Sequence, residues 1–341
     1  MTRAIAVAQR RPRNALRLTG LLLTASALTL LVAASLAVGS MQIPLPALLS
    51  KLLSPDGSVN SLILHTVRLP RALSALLVGA SLAVAGGIMQ ALTRNPLASP
   101  GILGVNAGAA LAVVVAVLVL GSPPLSTYAL FAFAGAGLAG AVVYLLGATG
   151  KGNSSPLRLV LAGAVLMSFL TSLTTALLLL DQNTLDQVRF WTAGSLAGRD
   201  MELFRLTAPY MLAGLLLSIP LARRLTALSL GDDVARGLGL RSGGVKLLAA
   251  LVVILLAGGA VALAGPIAFV GLVAPHMARF VIGSDYRWVL PYAALFGAIL
   301  VTLGDIGARV ALRPQEVPVG VVMALVGAPF FIHLARSKVK R

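Results

Sequence analysis

The sequence predicts an all-α protein that crosses a membrane about ten times. Hydrophobic residues make up 58% of its 341 residues and charged residues only 11%, and its mean hydropathy is +0.96. Such a chain has too little polar surface to cover a water-soluble domain. The 22 residues between Arg71 and Arg94 carry no charge. At about 1.5 Å per residue they can cross the roughly 30 Å hydrocarbon core of a bilayer.

Ten such segments can be placed along the chain. Residues 95–150 contain no Asp, Glu, Lys, Arg or His, and a Gly-Ser-Pro-Pro sequence at 121–124 divides them into two spans. Gly265, Pro266 and Gly271 interrupt the eighth segment, which we expect to be short or broken. The predicted spans cover residues 17–38, 68–92, 101–120, 126–147, 157–180, 204–221, 245–264, 267–282, 289–308 and 317–335.

The basic residues predict the orientation of these spans. With the N-terminus inside, 19 of the 27 Lys and Arg residues fall on cytoplasmic segments and 8 fall outside, as the positive-inside rule requires. We therefore expect a cytoplasmic N-terminal segment (1–16), one ten-helix transmembrane domain (17–335) and a cytoplasmic tail (336–341). The net charge of +17 is scattered over short segments without a single patch, so nucleic-acid binding is not indicated.

The sequence shows no pattern that is typical of an enzyme's catalytic or metal site. There is no cysteine, which excludes disulfides, thiolate metal sites and cysteine nucleophiles. One glycine-rich stretch resembles a phosphate loop, but the first glycine of GxxxxGK[ST] would fall on Leu145 and the last position is Gly152. His65, His276 and His333 have no metal-binding spacing. We expect no catalytic residue, no metal and no directly bound cofactor.

Charged residues near one end of the spans allow two interpretations. Asp305 and Arg309 are four residues apart on one helix face and can form an ion pair. Alternatively Arg309 faces outward with Arg68 and Arg71, and the three form a basic patch for an acidic partner.

Two predicted cytoplasmic connections are more structured than a solvent loop needs to be. Residues 95–101 hold two prolines and a glycine. Residues 228–241 predict a short amphipathic helix between Gly231 and Gly239, with an Asp at a plausible N-cap. Such a helix can dock into a groove of another subunit through apolar residues such as Leu238, although a bare linker remains the alternative.

The 35 glycines predict close packing of helices, through pairs such as Gly104 and Gly108. A second interpretation is that Gly86 with Gly87, or Gly265 with Pro266, permits helix bending during transport.

Six stretches of the chain carry a resemblance to a known family. They are RLPR (68–71), LVGASLAVAGGIMQALTRNPLASPGILGVNAGA (77–109), WTAGSL (191–196), LGDDVARGLGLR (230–241), GPIAFVGLVAPHMAR (265–279) and PVGVVMALVGAPFF (318–331). Together they resemble the FecCD/BtuC-type permeases, the membrane subunits of ABC importers for ferric siderophores, haem and cobalamin. The resemblance implies ten helices per subunit, two permease subunits around a central pathway, two cytoplasmic ATPases and a binding protein outside the membrane.

The resemblance also implies roles for particular residues. Docking of the binding protein through its glutamates is implied for Arg68, Arg71 and Arg309. A cytoplasmic gate is implied for Asn95, Pro96 and Leu97. Coupling to the ATPases, within a loop at about 222–244, is implied for Gly231, Asp232, Ala235, Leu238 and Gly239. A helix at the outer mouth is implied for Gly265, Pro266, Gly271 and Pro275.

Within that family, three segments resemble permeases for ferric siderophores of the enterobactin type: residues 104–108, 190–191 and 283–288. A cobalamin or haem permease is the alternative. The resemblance implies import by alternating access in the bacterial inner membrane, with both termini cytoplasmic. The expected partners are an identical or paralogous second permease, two ATPases that bind ATP and Mg²⁺, a periplasmic or lipid-anchored binding protein, the ferric siderophore and the bilayer. An ion-coupled secondary transporter would need ionisable groups at the bilayer midplane, whereas the embedded pair lies near one end.

Overall fold

The computed structural model of the chain describes residues 10–39, 45–148, 156–312 and 315–339, and no β-strand occurs in these ranges. A 3₁₀ turn lies at Pro100–Leu103, and π-helical segments at Leu64–Arg68 and Ile254–Gly258 each lie inside a longer helix. Thirteen α-helices lie in the described ranges: α1 (Arg10–Ala37), α2 (Leu45–Leu53), α3 (Val59–Thr93), α4 (Val105–Leu120), α5 (Leu125–Ala148), α6 (Pro156–Leu180), α7 (Gln182–Thr192), α8 (Met201–Ser229), α9 (Asp232–Gly237), α10 (Ser242–Ala264), α11 (Val270–Ile282), α12 (Tyr286–Val310) and α13 (Val319–Val339).

Ten of these helices coincide with the ten predicted spans, which confirms the predicted fold class. Helices α1, α3, α5, α6, α8, α10 and α12 are long and apolar enough to cross a membrane, and α4, α11 and α13 are shorter apolar helices. The expectation of a short eighth span is also confirmed, because α11 has only 13 residues. The domain bounds stay predictions, and residues 1–9 and 340–341 of the predicted cytoplasmic ends lie outside the described residues.

Helix α3 forms the centre of the bundle, packed against α8, α11 and α12. Its most apolar window is 83% buried, and small residues let its neighbours come close. A Cβ atom at Gly86 would overlap the backbone of Gly271 on α11, and one at Gly79 would overlap the backbone of Gly297 on α12. These contacts support the interpretation of the glycines as packing residues.

Hydrogen bonds between distant segments define two ends of the bundle. At one end, Arg17 Nη2 donates to the carbonyl oxygen of Ile282 (3.1 Å), and the backbone N–H of Tyr286 donates to Thr226 Oγ1 (3.0 Å). Helix α9 follows α8 there, so we call this the α9 end. The opposite end holds the C-terminus of α1, helix α7 and the start of α13, and we call it the α7 end. Basic residues predict that the α9 end is cytoplasmic.

Candidate functional site

Five ionisable side chains meet at the α7 end and form what we call the arginine cluster: Arg68, Arg71, Asp305, Arg309 and Glu316. The Asp305 carboxylate is fully buried and accepts hydrogen bonds from Arg71 Nε (2.9 Å) and Arg309 Nε (3.0 Å). Arg71 Nη1 lies 2.7 Å from Glu316 Oε2. The predicted ion pair between Asp305 and Arg309 is therefore present, and it belongs to a larger network.

Two arginines of the cluster also bind the end of α1. Arg68 Nη1 donates to the carbonyl oxygens of Leu36 (2.7 Å) and Ala37 (2.9 Å). Arg309 Nη1 donates to the carbonyl oxygen of Ser35 (2.9 Å). The last carbonyl groups of a helix have no partner within it, so these guanidinium groups satisfy the end of α1 and attach it to α3 and α12.

The three arginines are buried within the chain, and their role in docking a binding protein stays a prediction. The exposed fractions of Arg68, Arg71 and Arg309 are 5%, 7% and 7%. Their guanidinium groups point into the bundle, where Asp305 and the carbonyl groups of α1 compensate the positive charges. Without these partners, burial of the cations would be costly in free energy. Glu316, with 40% of its side chain exposed, is the member of the cluster most open to a partner. Glu316 was not predicted as a site residue, although the sequence places this acidic residue directly before the last predicted span.

The predicted short helix of the coupling loop is present as α9. Gly231 (φ 121°) precedes it and Gly239 (φ 79°) follows it, backbone conformations that favour glycine. Ala235 is buried, whereas Leu238 is 66% exposed. The predicted acidic N-cap is corrected: Gly231 is the N-cap, and Asp232 instead pairs with the buried Lys246 at 3.0 Å. Helix α9 is thus fixed to α10 and leaves apolar side chains uncovered.

The predicted gate turn has a defined conformation. Asn95 Oδ1 accepts a hydrogen bond from the backbone N–H of Leu97 (2.9 Å), and the turn continues through Pro96. The half-buried Leu97 packs in a cluster with Phe269 and Phe331. Leu97 also lines a cavity of about 370 Å³, which we call the central cavity.

The central cavity lies deep in the bundle. Leu82, in its wall, follows Arg71 by eleven residues, or about 16 Å along α3. That is roughly half the thickness of a hydrocarbon core. The cavity therefore lies near mid-membrane, and residues 97–106 and 267–272 contribute most of its wall.

The predicted outer-mouth residues lie at two depths in the bundle, and their predicted role stays a prediction. Gly265 (φ 73°) and Pro266 lie at the α7 end, where a Cβ atom at Gly265 would overlap the backbone of Trp191. Gly271 lies deeper, against Gly86, and Pro275 packs near Gly87. The chain turns inward after α10, so α11 begins deeper in the bundle than Gly265.

These features define a class of protein: a multi-pass membrane permease with broken helices around a cavity at mid-membrane depth. Comparison with known proteins agrees. The sequence profile of the FecCD transport family matches residues 27–337, so the chain belongs to the FecCD transport family. This is the class of membrane subunit found in iron-chelate ABC importers, and such subunits are transport components.

Individual relatives extend over most of the chain. It is 48% identical over 285 residues to the probable siderophore transport system permease protein YfiZ of Bacillus subtilis (strain 168), covering 84% of this chain and 86% of that one. It is 42% identical to the ferric enterobactin transport system permease protein FepD of Escherichia coli (strain K12), covering 96% and 97%. A solved structure, an inward-facing conformation of a putative metal-chelate type ABC transporter, is similar with a TM-score of 0.82 at 30% identity, covering 94% and 98%.

Proposed function

We propose that the chain is the permease through which an ABC importer moves a ferric siderophore of the enterobactin type from the periplasm to the cytoplasm. The observation that carries this proposal is the 42% identity to a ferric enterobactin permease along 96% of the chain. A cobalamin or haem permease is the second candidate, because the resemblance of the sequence to FecCD/BtuC-type permeases leaves those chelates open.

The proposed pathway runs through the central cavity. Its wall is largely apolar and includes Leu82, Phe269 and Phe331, which suits passage of a large chelate without tight binding. Leu97 narrows the predicted cytoplasmic side of this cavity. In a pair of permease subunits, identical or paralogous, the two gate turns would meet near the shared axis. Alternating access then requires the two halves to move relative to each other.

Separate ATPase subunits are proposed to drive this motion through α9. The exposed Leu238, the residue directly after this helix, supplies the apolar contact that an ATPase groove requires. The buried Lys246 connects α9 to α10 through Asp232. Movement of α9 would therefore be passed to α10, whose far end adjoins the central cavity through residues 265–269. ATP and Mg²⁺ are bound by those partner subunits.

The α7 end is proposed to dock the binding protein, which is periplasmic or lipid-anchored. Arg71 is the cluster's link to the surface, because it contacts both the buried Asp305 and the half-exposed Glu316. A glutamate of the binding protein would reach Arg71 by displacing Glu316. Arg68 and Arg309 would act indirectly, by holding α1 in place.

Reconstituted transport tests the proposed function. The permease is assembled with its partner permease, ATPases and binding protein in proteoliposomes, and uptake of radioactive ferric enterobactin, cobalamin and haem is compared. We expect ATP-dependent uptake of the ferric siderophore that is lost with a catalytically inactive ATPase. Uptake of cobalamin or haem alone would favour the second candidate. Gradient-driven uptake without any ATPase would indicate a secondary transporter and contradict the proposal.

A further inference from the structure

A second cavity, of about 520 Å³, opens at the α7 end, and we call it the outer cavity. Its wall combines one cation, one anion, an amide and three aromatic rings: Arg199, Glu316, Gln187, Tyr128, Phe190 and Trp191. These residues come from the start of α5, from α7, from the loop before α8 and from the segment before α13. Four separate parts of the chain therefore build one site.

The outer cavity lies beside the elements that lead to the central cavity. The backbone N–H of Ser195 donates to the carbonyl oxygen of Ala264 at the end of α10 (2.8 Å). The backbone N–H of Gly320 on α13 donates to the carbonyl oxygen of Gly194 (2.9 Å). Both α13 and the segment after α10 continue inward to the wall of the central cavity. A ligand in the outer cavity would thus lie at the entrance of the proposed pathway.

Arg199 differs from the arginines of the arginine cluster. It is only 7% exposed, and its Nε donates to the carbonyl oxygen of Ser195 (3.2 Å). Across the ranges that the structure describes, no carboxylate lies within ion-pair distance of this guanidinium. Asp200 is next in sequence, but its Oδ1 accepts the N–H of Leu203 at the start of α8 (2.8 Å). Burial lowers the pKa of Arg199, and the charge of Asp200 opposes that shift.

A buried cation without a paired carboxylate is a natural receptor for an anion. Guanidinium groups bind carboxylate and other oxyanions through two parallel N–H donors. Here that cation shares a cavity with three aromatic side chains, of which Trp191 and Tyr128 are buried and Phe190 is exposed at the rim. Glu316, the acidic wall residue, is already paired with Arg71. The combination favours a ligand that is both anionic and aromatic.

We infer that the outer cavity is an entry subsite that binds one arm of an anionic ferric chelate, such as a catecholate arm, before the chelate reaches the central cavity. The inference rests on the proposed function and names the class of chelate that the entrance prefers. Its volume of about 520 Å³ lies in the range of pockets that hold a drug-sized ligand, so it has room for one arm of such a chelate. A neutral ferric trihydroxamate lacks the charge that Arg199 would recognise.

Fluorescence of Trp191 can report binding directly. The chain has two tryptophans, so Trp288→Phe leaves Trp191 as its only one, and the signal of Trp191 is the difference from a preparation in which Trp191→Phe is added. Iron(III) tris-catecholate is titrated into the assembled transporter in nanodiscs, and iron(III) trihydroxamate is titrated in parallel. We expect saturable quenching by the anionic complex and weak, non-saturable quenching by the neutral one.

Variants of the cavity identify the groups that bind. Arg199→Gln should weaken tris-catecholate quenching about tenfold, because a charge-assisted contact is lost. Arg199→Lys should weaken it less, since the charge remains without the planar fork. Phe190→Ala, at an exposed position that does not affect folding, should weaken it a few-fold. Arg205→Gln is the matched control, because it removes the same charge from an exposed site on α8 and should leave affinity within twofold.

Two results would overturn the inference. One is equal quenching of the parent and of both the Arg199→Gln and Phe190→Ala variants. The other is equally tight binding of the neutral trihydroxamate. ATP-driven uptake is measured on the same preparations: uptake of a ferric chelate with no saturable quenching of Trp191 rejects the entry subsite and leaves the proposed function intact. No uptake of any ferric chelate rejects the proposed function itself.

Discussion

The two ends of the bundle use polar and apolar residues in opposite ways. At the α7 end, four of the five charged side chains of the arginine cluster are buried, and the three arginines bind the carboxylates of the cluster or the end of α1. At the α9 end, the apolar Leu238 is exposed directly after a short helix that Asp232 and Lys246 hold in place. The comparison teaches that charged residues that stand out in an apolar sequence can stabilise the subunit itself. A surface for a partner can instead consist of apolar residues that the subunit leaves exposed.

The largest effect is expected at the centre of the arginine cluster. Asp305→Asn would leave Arg71 and Arg309 without their shared counterion, and breaking a buried network of this kind costs about 3–5 kcal/mol. We predict low yield and a large loss of thermal stability in detergent. Asp56→Asn is the control, because Asp56 is exposed and pairs with Lys51 near the surface. Normal stability of Asp305→Asn would show that the cluster is not structural.

A large effect on coupling, without loss of stability, is expected at α9. Leu238→Asp should leave the permease folded and inserted, because the side chain is exposed, but should abolish its apolar contact with an ATPase groove. We predict loss of at least about tenfold in ATP-driven uptake while the ATPases still hydrolyse ATP. The same change at the equally exposed Leu53 on α2, at the α7 end, should leave the ratio of transport to hydrolysis unchanged. Normal uptake by Leu238→Asp would refute the coupling role of α9.

The smallest effect is expected at the rim of the arginine cluster. Glu316→Gln removes a half-exposed carboxylate from Arg71 while Asp305 remains, so stability should change by less than about 1 kcal/mol. If a glutamate of the binding protein displaces Glu316, the variant should bind that protein a few-fold more tightly and with a steeper salt dependence. Affinity measured by surface plasmon resonance at two salt concentrations decides this. Unchanged affinity and salt dependence would argue against docking through Arg71.

The helical spans were predictable from sequence because hydropathy is a local property. The pair of Asp305 and Arg309 was predictable for the same reason, since residues four apart share a helix face. Helices α2 and α7 were missed because they are short and lie at the α7 end, outside the long apolar runs. Their amphipathic sequences give a weak signal against that background.

The orientation of the arginines could not be predicted in this way. Arg71 finds its counterion 234 residues later in the chain, and no local pattern shows which way α3 is rotated. The inward turn of residues 265–269 has the same origin, because Gly271 is positioned by its contact with Gly86. Arg199 belongs to no motif, and only the folded arrangement of four parts of the chain shows that, among the described residues, no carboxylate forms an ion pair with it.

The central claim is that the cavity behind Leu97 is the transport pathway, closed where two permease subunits meet. The chain has no cysteine, so Leu97→Cys introduces a single thiol. In the assembled transporter, with the matching position of a paralogous partner also changed to cysteine where one exists, we predict a cross-link between the subunits. The cross-link should form in one nucleotide state more than in others and should stop uptake. Reduction of the disulfide should restore uptake. Thiols at position 97 that never cross-link in any nucleotide state, in a transporter that remains active, would contradict the account.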